Sequence, residues 1–430
     1  MRQSQILSSL SLCVVLLHLA ACGGGPGGQL SPDQNIRSNQ PQAQKRNDPY
    51  APKPKPKINR DAKQLFVLAG QIASRANPDY NRALDLYRDA YNKDKKLTLA
   101  LYNAGLISEL MGDEDQARQF YEAAANAGVG DGWVNIALMA LEKGDRGQAE
   151  SLFNRALGVE PLNGRAHLNL AMFAKERRDF DFAMKSVRNA LKEDSTDADA
   201  YDVLAQIYYD LGRYKLALLV ADAGLSELAP EHSGLWTTQG LIQLKLDDVI
   251  KAVRSFQKAI DLDPNNFAAR LNLGLITFNY RDYEKSYQLL SEAVRLRPNH
   301  LEATLSHAVA ARTLKRYDEA RQGYNKVLKL SPNHPGAIFN IAVLDQDYVE
   351  VDPNDYGRRV DMTRKAIDQY NQVLASAKSK KLRKKAKSRI EEAKVIIEAI
   401  EAEKEAAAAE AEATAAEAEA AAQEKAAGTQ

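Results

Sequence analysis

Apolar and small residues recur with a period of 34 between residues 64 and 377. In the unit Ser233–Asn266, the fourth, eighth, twentieth, twenty-fourth, twenty-seventh and thirty-second places are Trp236, Gly240, Ala252, Phe256, Ala259 and Pro264. This spacing predicts two antiparallel helices per unit, because small residues allow close approach while larger ones fill the gap to the next unit. Proline near the thirty-second place ends the second helix. Units begin near residues 64, 98, 130, 164, 198, 233, 267, 301 and 335.

The repeating pattern closely resembles the tetratricopeptide (TPR) signature. The resemblance implies an all-α, right-handed superhelical solenoid of eight to nine helix-turn-helix repeats over residues 61–377, with first helices lining a concave groove. The last unit departs from the pattern, because its second helix resumes about twelve residues late. We expect the insertion, Tyr348–Asp361, to form a protruding loop.

The first 22 residues have the organisation of a signal peptide. Arg2 supplies a positive charge, and the apolar stretch Ile6–Ala20 is too short to span a bilayer. Its end resembles the lipobox of bacterial lipoproteins, formed here by Leu19, Ala20, Ala21 and Cys22. The resemblance implies a signal peptide of residues 1–21 and acylation of Cys22, with palmitate among the expected chains. Gly23 implies an outer-membrane location facing the periplasm under the enterobacterial sorting rule. Ordinary secretory cleavage is the alternative.

Three further segments differ from the repeats in composition. Residues 22–60 are predicted to be an acylated cysteine followed by a Pro/Lys-rich tether. Residues 378–400 combine a basic segment with an apolar stripe that would form a capping helix, and residues 401–430 form an Ala/Glu-rich tail, helical or disordered. The basic segment could contact phosphates, cell-wall polymer or an acidic partner, or could be a solvated helix face. Its candidate anion contacts are Lys381, Arg383, Lys384 and Lys385.

The sixth place of the repeats is often asparagine, and these side chains are predicted to face the groove. An asparagine carries both a donor and an acceptor, so such a ladder can pair with the backbone of an extended peptide. The alternative is that Asn is simply frequent at this place in TPR repeats. The candidate peptide-groove residues are Asn103, Asn135, Asn169, Asn272 and Asn340, with Tyr102, Leu106 and Leu275 on the groove wall.

Composition and charge argue against several classes of function. Lys and Arg number 58 against 57 Asp and Glu, so no strong positive field would attract nucleic acid. Both cysteines, Cys13 and Cys22, precede residue 23, which excludes a cysteine metal site or disulfide framework from the repeats. His300 and His334 lie 34 apart in successive turns and are not predicted to cluster. We therefore expect a non-enzyme without cofactor or metal.

The lipobox, the Pro/Lys tether of residues 48–57, the repeats and the Ala/Glu tail together resemble the TPR lipoprotein of the adventurous gliding motility machinery of myxobacteria. The resemblance implies a lipid-anchored scaffold that binds other envelope-complex proteins through the groove. Two alternatives remain open: a pilot or assembly lipoprotein for a type IV pilus or secretion system, and a regulatory lipoprotein that contacts the cell wall.

Overall fold

The computed structural model describes residues 57–347 and 352–427. All regular elements in these residues are helical, namely nineteen α-helices and one π-helical turn. Short turns join the first sixteen α-helices into eight antiparallel pairs, the helix-hairpin unit expected of TPR repeats, and the next two α-helices pack against each other as a ninth pair. The predicted all-α repeat architecture is confirmed. The predicted lipobox residues Leu19, Ala20, Ala21 and Cys22 lie outside the described residues.

The chain divides into two compact units, with the boundary at Pro230. The first unit contains five helix pairs and a π-helical turn, Gly224–Leu228, after the last of them. Its α-helices are α1 Arg60–Ala73, α2 Tyr80–Lys93, α3 Leu99–Leu110, α4 Glu114–Asn126, α5 Asp131–Glu142, α6 Arg146–Val159, α7 Gly164–Glu176, α8 Phe180–Glu193, α9 Ala198–Asp210 and α10 Tyr214–Ala223.

The second unit contains four helix pairs and a long final helix. Its α-helices are α11 Ser233–Lys245, α12 Val249–Leu262, α13 Phe267–Asn279, α14 Tyr283–Leu296, α15 Leu301–Thr313, α16 Tyr317–Leu330, α17 Pro335–Asp347, α18 Tyr356–Ser376 and α19 Lys380–Ala427. The basic segment, the apolar stripe and the start of the Ala/Glu tail thus share one 48-residue helix.

Side-chain caps define where the helices begin. In seven of the nine described pairs, an aspartate precedes the second helix, and its carboxylate accepts a hydrogen bond from the backbone N–H three residues later. Several first helices are capped by histidine instead. His232, His300 and His334 each accept a backbone N–H at Nδ1, over 3.0, 3.2 and 3.3 Å. These caps satisfy donors that a helix N-terminus leaves unpaired.

The core of each repeat is built on its twenty-fourth place. The eight residues there, from the first repeat to the eighth, are completely buried: Tyr87, Tyr121, Phe153, Val187, Ala221, Phe256, Leu290 and Tyr324. Alanines at the twentieth place, such as Ala252 and Ala320, are also fully buried. The spacing read from the sequence therefore marks the residues that hold each helix pair together.

The insertion in the last repeat is shorter than expected. Helix α18 begins at Tyr356, where Asp355 caps it, so Tyr356–Asp361 forms its first turns and is not loop. The sequence-based expectation was wrong for this part, because the Asp355 carboxylate accepts from Arg358 N–H and starts the helix early. Residues 348–351 lie outside the described residues.

Candidate peptide-binding groove

The predicted groove residues are divided between the two units. Tyr102, Asn103 and Leu106 lie on α3, Asn135 lies on α5 and Asn169 lies on α7, all in the first unit. In the second unit, Asn272 and Leu275 lie on α13 and Asn340 lies on α17. Each of these helices is the first of its pair, as the sixth-place pattern predicts.

In the first unit, one arginine connects three first helices. Arg165, on α7, donates from Nη1 to the Tyr102 hydroxyl over 3.1 Å and from Nη2 to Asn135 Oδ1 over 2.9 Å. Asn135 Nδ2 also donates to the Tyr102 hydroxyl, over 3.3 Å. Asn169 Nδ2 donates to the Arg165 backbone carbonyl over 2.8 Å. The structure therefore brings Tyr102, Asn135 and Asn169 into one network around Arg165.

Two carboxylates extend this network. Asp131 Oδ1 lies 3.3 Å from Arg165 Nη1 and accepts from Asn163 Nδ2 over 3.1 Å. On the other side, Tyr121 donates from its hydroxyl to Glu109 Oε2 over 2.5 Å, and its ring centroid lies 5.8 Å from that of Tyr102. Burial, together with the Glu109 charge, holds the pKa of the Tyr121 hydroxyl well above its usual value. The phenol therefore stays protonated and serves as a donor.

Asn103 differs from the other asparagines because its amide is buried without a partner. The residue has no exposed surface, and neither Oδ1 nor Nδ2 has a hydrogen-bond partner. Because Asn103 has no exposed surface, a peptide would reach its amide only if the side chains that cover it moved. Leaving such a group unpaired costs about 1–3 kcal/mol. A buried amide that the fold does not satisfy is a candidate contact for a ligand.

The asparagines of the second unit are bonded within their own helices. Asn272 Nδ2 donates to the Ala268 carbonyl over 2.8 Å, and Asn340 Nδ2 donates to the Gly336 carbonyl over 2.7 Å. Both residues are half-buried. Leu275 packs, partly buried, against an apolar cluster that includes Leu271 and Leu290. Asn272 and Asn340 are thus partly accessible, and each is hydrogen-bonded to its own helix.

The predicted anion contacts lie at the start of α19. Lys381, Arg383, Lys384 and Lys385 are all exposed, and none forms an ion pair with a described residue. Within the part of the chain that the structure describes, no group of three or more His, Cys, Asp or Glu is arranged to hold a metal. The described helices also include none with the length and apolarity needed to cross a bilayer.

Sequence reasoning missed Arg165, which holds the network together. Arg165 occupies the second place of its repeat, one turn before the sixth-place asparagine, so the groove pattern did not mark it. Its side chain reaches across to α3 and α5. The hydrogen bond to Tyr102 joins two residues that are 63 apart in the chain. The sequence does place Tyr102, Asn135 and Arg165 on the first helices of three consecutive repeats. This arrangement is the signal from which the network could have been predicted.

Comparison with known proteins agrees with the helix pairs. Tetratricopeptide repeat family models match residues 99–127, 134–184, 237–299 and 278–335. The paired helices and these matches both support TPR repeats in this chain.

Three curated proteins match parts of the chain, among them a bacterial and a human one. The type IV pilus assembly protein PilF of Pseudomonas aeruginosa is 26% identical over 144 residues, which are 33% of this chain and 57% of that protein. The human protein O-mannosyl-transferase TMTC3 is 22% identical over 220 residues, 50% of this chain and 24% of that protein. The chain therefore spans less than two thirds of either relative. The solved structure of Pseudomonas aeruginosa PilF is 22% identical with a TM-score of 0.43, covering 50% of this chain and 97% of that one.

Proposed function

We propose that this chain is a non-enzymatic, membrane-anchored scaffold that binds other proteins of a bacterial cell-envelope machine. The observation that carries the proposal is the buried, unpartnered amide of Asn103 beside the Tyr102–Asn135–Arg165 network. A peptide backbone offers both a carbonyl and an N–H, which are the partners that an Asn side chain lacks here. The client is therefore an extended peptide segment that displaces neighbouring side chains and pairs with Asn103.

For the envelope machine, we propose the type IV pilus. The support is the likeness to the pilus assembly protein PilF, which covers a third of this chain. The gliding-motility hypothesis is the second choice. It rests on the composition of the Pro/Lys segment of residues 48–57 and of the Ala/Glu tail, and on repeats that many proteins of different function share.

Anchoring is proposed at Cys22, with the outer membrane as the site and the repeats in the periplasm. Acyl chains contribute about 0.8 kcal/mol per buried methylene, so two or three of them would hold the protein at the membrane without a transmembrane helix. The proposal is tested by feeding cells an alkyne-labelled palmitate. The parent chain should become labelled and fractionate with outer membranes, whereas Cys22→Ser should lose both properties. Label retained in Cys22→Ser would contradict acylation at this residue.

The groove is tested by crosslinked capture of partners from cells with Asn103→Ala. Removing a buried amide that makes no hydrogen bond relieves the cost of leaving it unpaired but also leaves a small cavity, so stability should change little, while capture of the client should fall. The matched control is Asn154→Ala, because Asn154 is exposed on α6 and its Nδ2 donates to the Glu150 carbonyl. Thermal unfolding of each variant shows whether a loss of capture reflects a loss of folding.

The identity of the captured proteins tests the pathway separately from the groove. Type IV pilus components, captured by the parent and by Asn154→Ala but lost in Asn103→Ala, support both parts of the proposal. Gliding-machinery or wall-modifying proteins with the same dependence on Asn103 support the scaffold and contradict the pilus. Equal capture by all three chains contradicts the assignment of the groove.

A further inference from the structure

The final helix carries opposite charges at its two ends. Its first ten residues, Lys380 to Arg389, contain seven Lys or Arg and no acidic residue. Residues 401–420 contain seven Glu and one Lys. This order is the reverse of what stabilises a single helix, in which cations are favoured at the C-terminus and anions at the N-terminus. The sequence of α19 is therefore electrostatically unfavourable for a helix that stands alone.

Few of these charges are neutralised by residues that the structure describes. Arg389 pairs with Asp347 over 2.7 Å, and Glu403 pairs with Arg359 over 2.7 Å. Glu401 lies 3.6 Å from Arg364. The remaining cations of the first ten residues and the five later glutamates, Glu405 to Glu419, form no ion pair with a described residue. Both ends of α19 thus carry uncompensated charge.

The two ends cannot neutralise each other in one copy. Lys384 and Ala411, near the centres of the basic and acidic regions, are separated by about 40 Å along a continuous helix at 1.5 Å per residue. The screening length at physiological salt is only about 8 Å. A second copy of α19 in antiparallel orientation would place the basic end of each helix beside the acidic end of the other.

The exposed face of α19, which includes Val395, has the residues that such a pairing needs. Ala386, Ile390, Ala393 and Ile400 are buried on the side that faces the rest of the second unit. Val395 lies on the opposite side and is 63% exposed. At 3.6 residues per turn, Lys381, Lys384, Glu410 and Glu417 share the face of Val395. The same face carries Ala399, Ala402, Ala406 and Ala413, whose small side chains permit close approach of a second helix.

We infer that two copies of this chain associate through an antiparallel pairing of α19. In the register that places Lys384 opposite Ala411, Lys381 and Lys384 of one copy lie between Glu410 and Glu417 of the other. Val395 then packs near the two-fold axis against Ala399 and Ala402 of the second copy. The interface is isologous, so each contact occurs twice.

Charge exchange between the two ends tests this pairing. The full chain is used with Cys22→Ser, so that acyl chains do not drive association. On the Val395 face, Lys381→Glu with Lys384→Glu leaves only acidic residues at these four positions, and Glu410→Lys with Glu417→Lys leaves only basic ones. Each variant alone should associate more weakly than the parent by more than about tenfold, because like charges then face each other. An equimolar mixture should recover association, since the four acidic positions on the Val395 face of one variant then meet the four basic positions of the other.

Sedimentation equilibrium measures these affinities, and circular dichroism checks that every variant keeps its helix content. The control is Lys258→Glu with Lys329→Glu, at exposed positions on α12 and α16, which changes the net charge by the same amount as Lys381→Glu with Lys384→Glu and should leave the parent affinity unchanged. A parent that stays monomeric, or variants whose mixture does not associate, would overturn the inference. If the parent is monomeric but binds vesicles of anionic lipid through Lys381 and Lys384, the basic end is a membrane contact.

Discussion

Gly240 lies directly against the ring of Phe256 across the two helices of the sixth repeat. A Cβ atom added at Gly240 would be 2.7 Å from Cε1 of Phe256, closer than real Cβ contacts allow. The same relationship exists between Gly105 and Tyr121, where the distance to the ring would be 2.5 Å. The eighth and twenty-fourth places of these repeats are therefore matched in size, one small and one aromatic.

Gly240→Ala should destabilise the chain by about 1–3 kcal/mol, because the added methyl overpacks a fully buried contact. This loss exceeds the gain of about 1 kcal/mol that alanine brings to a helix interior. Gly158→Ala on α6 is the control, since a Cβ there would have no atom within 4 Å. Urea unfolding should show a lower midpoint for Gly240→Ala and an unchanged or higher one for Gly158→Ala. An unchanged urea midpoint in Gly240→Ala would contradict the close packing of Gly240 against Phe256.

Replacing Arg281, in the turn between α13 and α14, with glycine should stabilise the chain. At the fifteenth place, Gly112, Gly144 and Gly212 have φ of 82°, 81° and 72°, whereas Arg178 and Arg281 have φ of 63° and 65°. A non-glycine residue in this left-handed region costs about 1–2 kcal/mol.

We therefore expect Arg281→Gly to raise the free energy of unfolding by about 0.5–1 kcal/mol, after the entropy of the added glycine is subtracted. Gly212→Ala is the reciprocal change and should lower it by a similar amount. Both are measured by denaturant unfolding, and a destabilised Arg281→Gly would show that the arginine side chain contributes more than its backbone costs.

Stability should fall as the pH drops below neutrality, because two histidines resist protonation in the folded chain. Burial lowers the pKa of His167 and of His307 from the ordinary value of 6.5. His167 bonds through Nε2 to the Pro161 carbonyl over 3.0 Å, and His307 Nε2 lies 3.6 Å from Glu319.

The unfolded chain binds these protons more readily than the folded chain. Each histidine therefore leaves the free energy of unfolding unaffected above its unfolded pKa and lowers it as the pH falls from there through its folded pKa. The free energy of unfolding should change by at most about 1.4 kcal/mol per pH unit for each histidine. Denaturant unfolding from neutral to mildly acidic pH should show a smaller slope in His167→Gln with His307→Gln than in the parent. Identical slopes would mean that neither histidine carries this dependence.

Removing Asp345 should destabilise the second unit. Its side chain is 4% exposed and lies 2.6 Å from Arg321 Nη1 and 3.6 Å from Lys365 Nζ. Asp345→Ala leaves Arg321 without this partner at a partly buried position, and we expect a loss of about 2–4 kcal/mol. Asp368→Ala, at an exposed carboxylate on α18, should change stability by less than about 0.5 kcal/mol. Equal losses in the two variants would assign no special role to the buried carboxylate.

Several features of the fold could be predicted from the amino-acid sequence because they depend on local periodicity. The spacing of Gly240, Ala252 and Phe256 determines which helix faces are apolar and small, and the buried twenty-fourth places follow from it. The proline and polar turn residues indicate where helices stop and start. The sixth-place asparagines were correctly assigned to the first helix of each pair.

Tertiary packing decided what these side chains contact. The network of Arg165, Tyr102 and Asn135 joins residues 30 to 63 apart, and no local pattern specifies the reach of one arginine across two helices. The complete burial of Asn103 likewise depends on how the helices pack around it, which its sixth-place position does not specify. Periodicity determines the direction in which a side chain leaves its helix, whereas its exposure and partners depend on the distance to neighbouring helices, which only the folded chain defines.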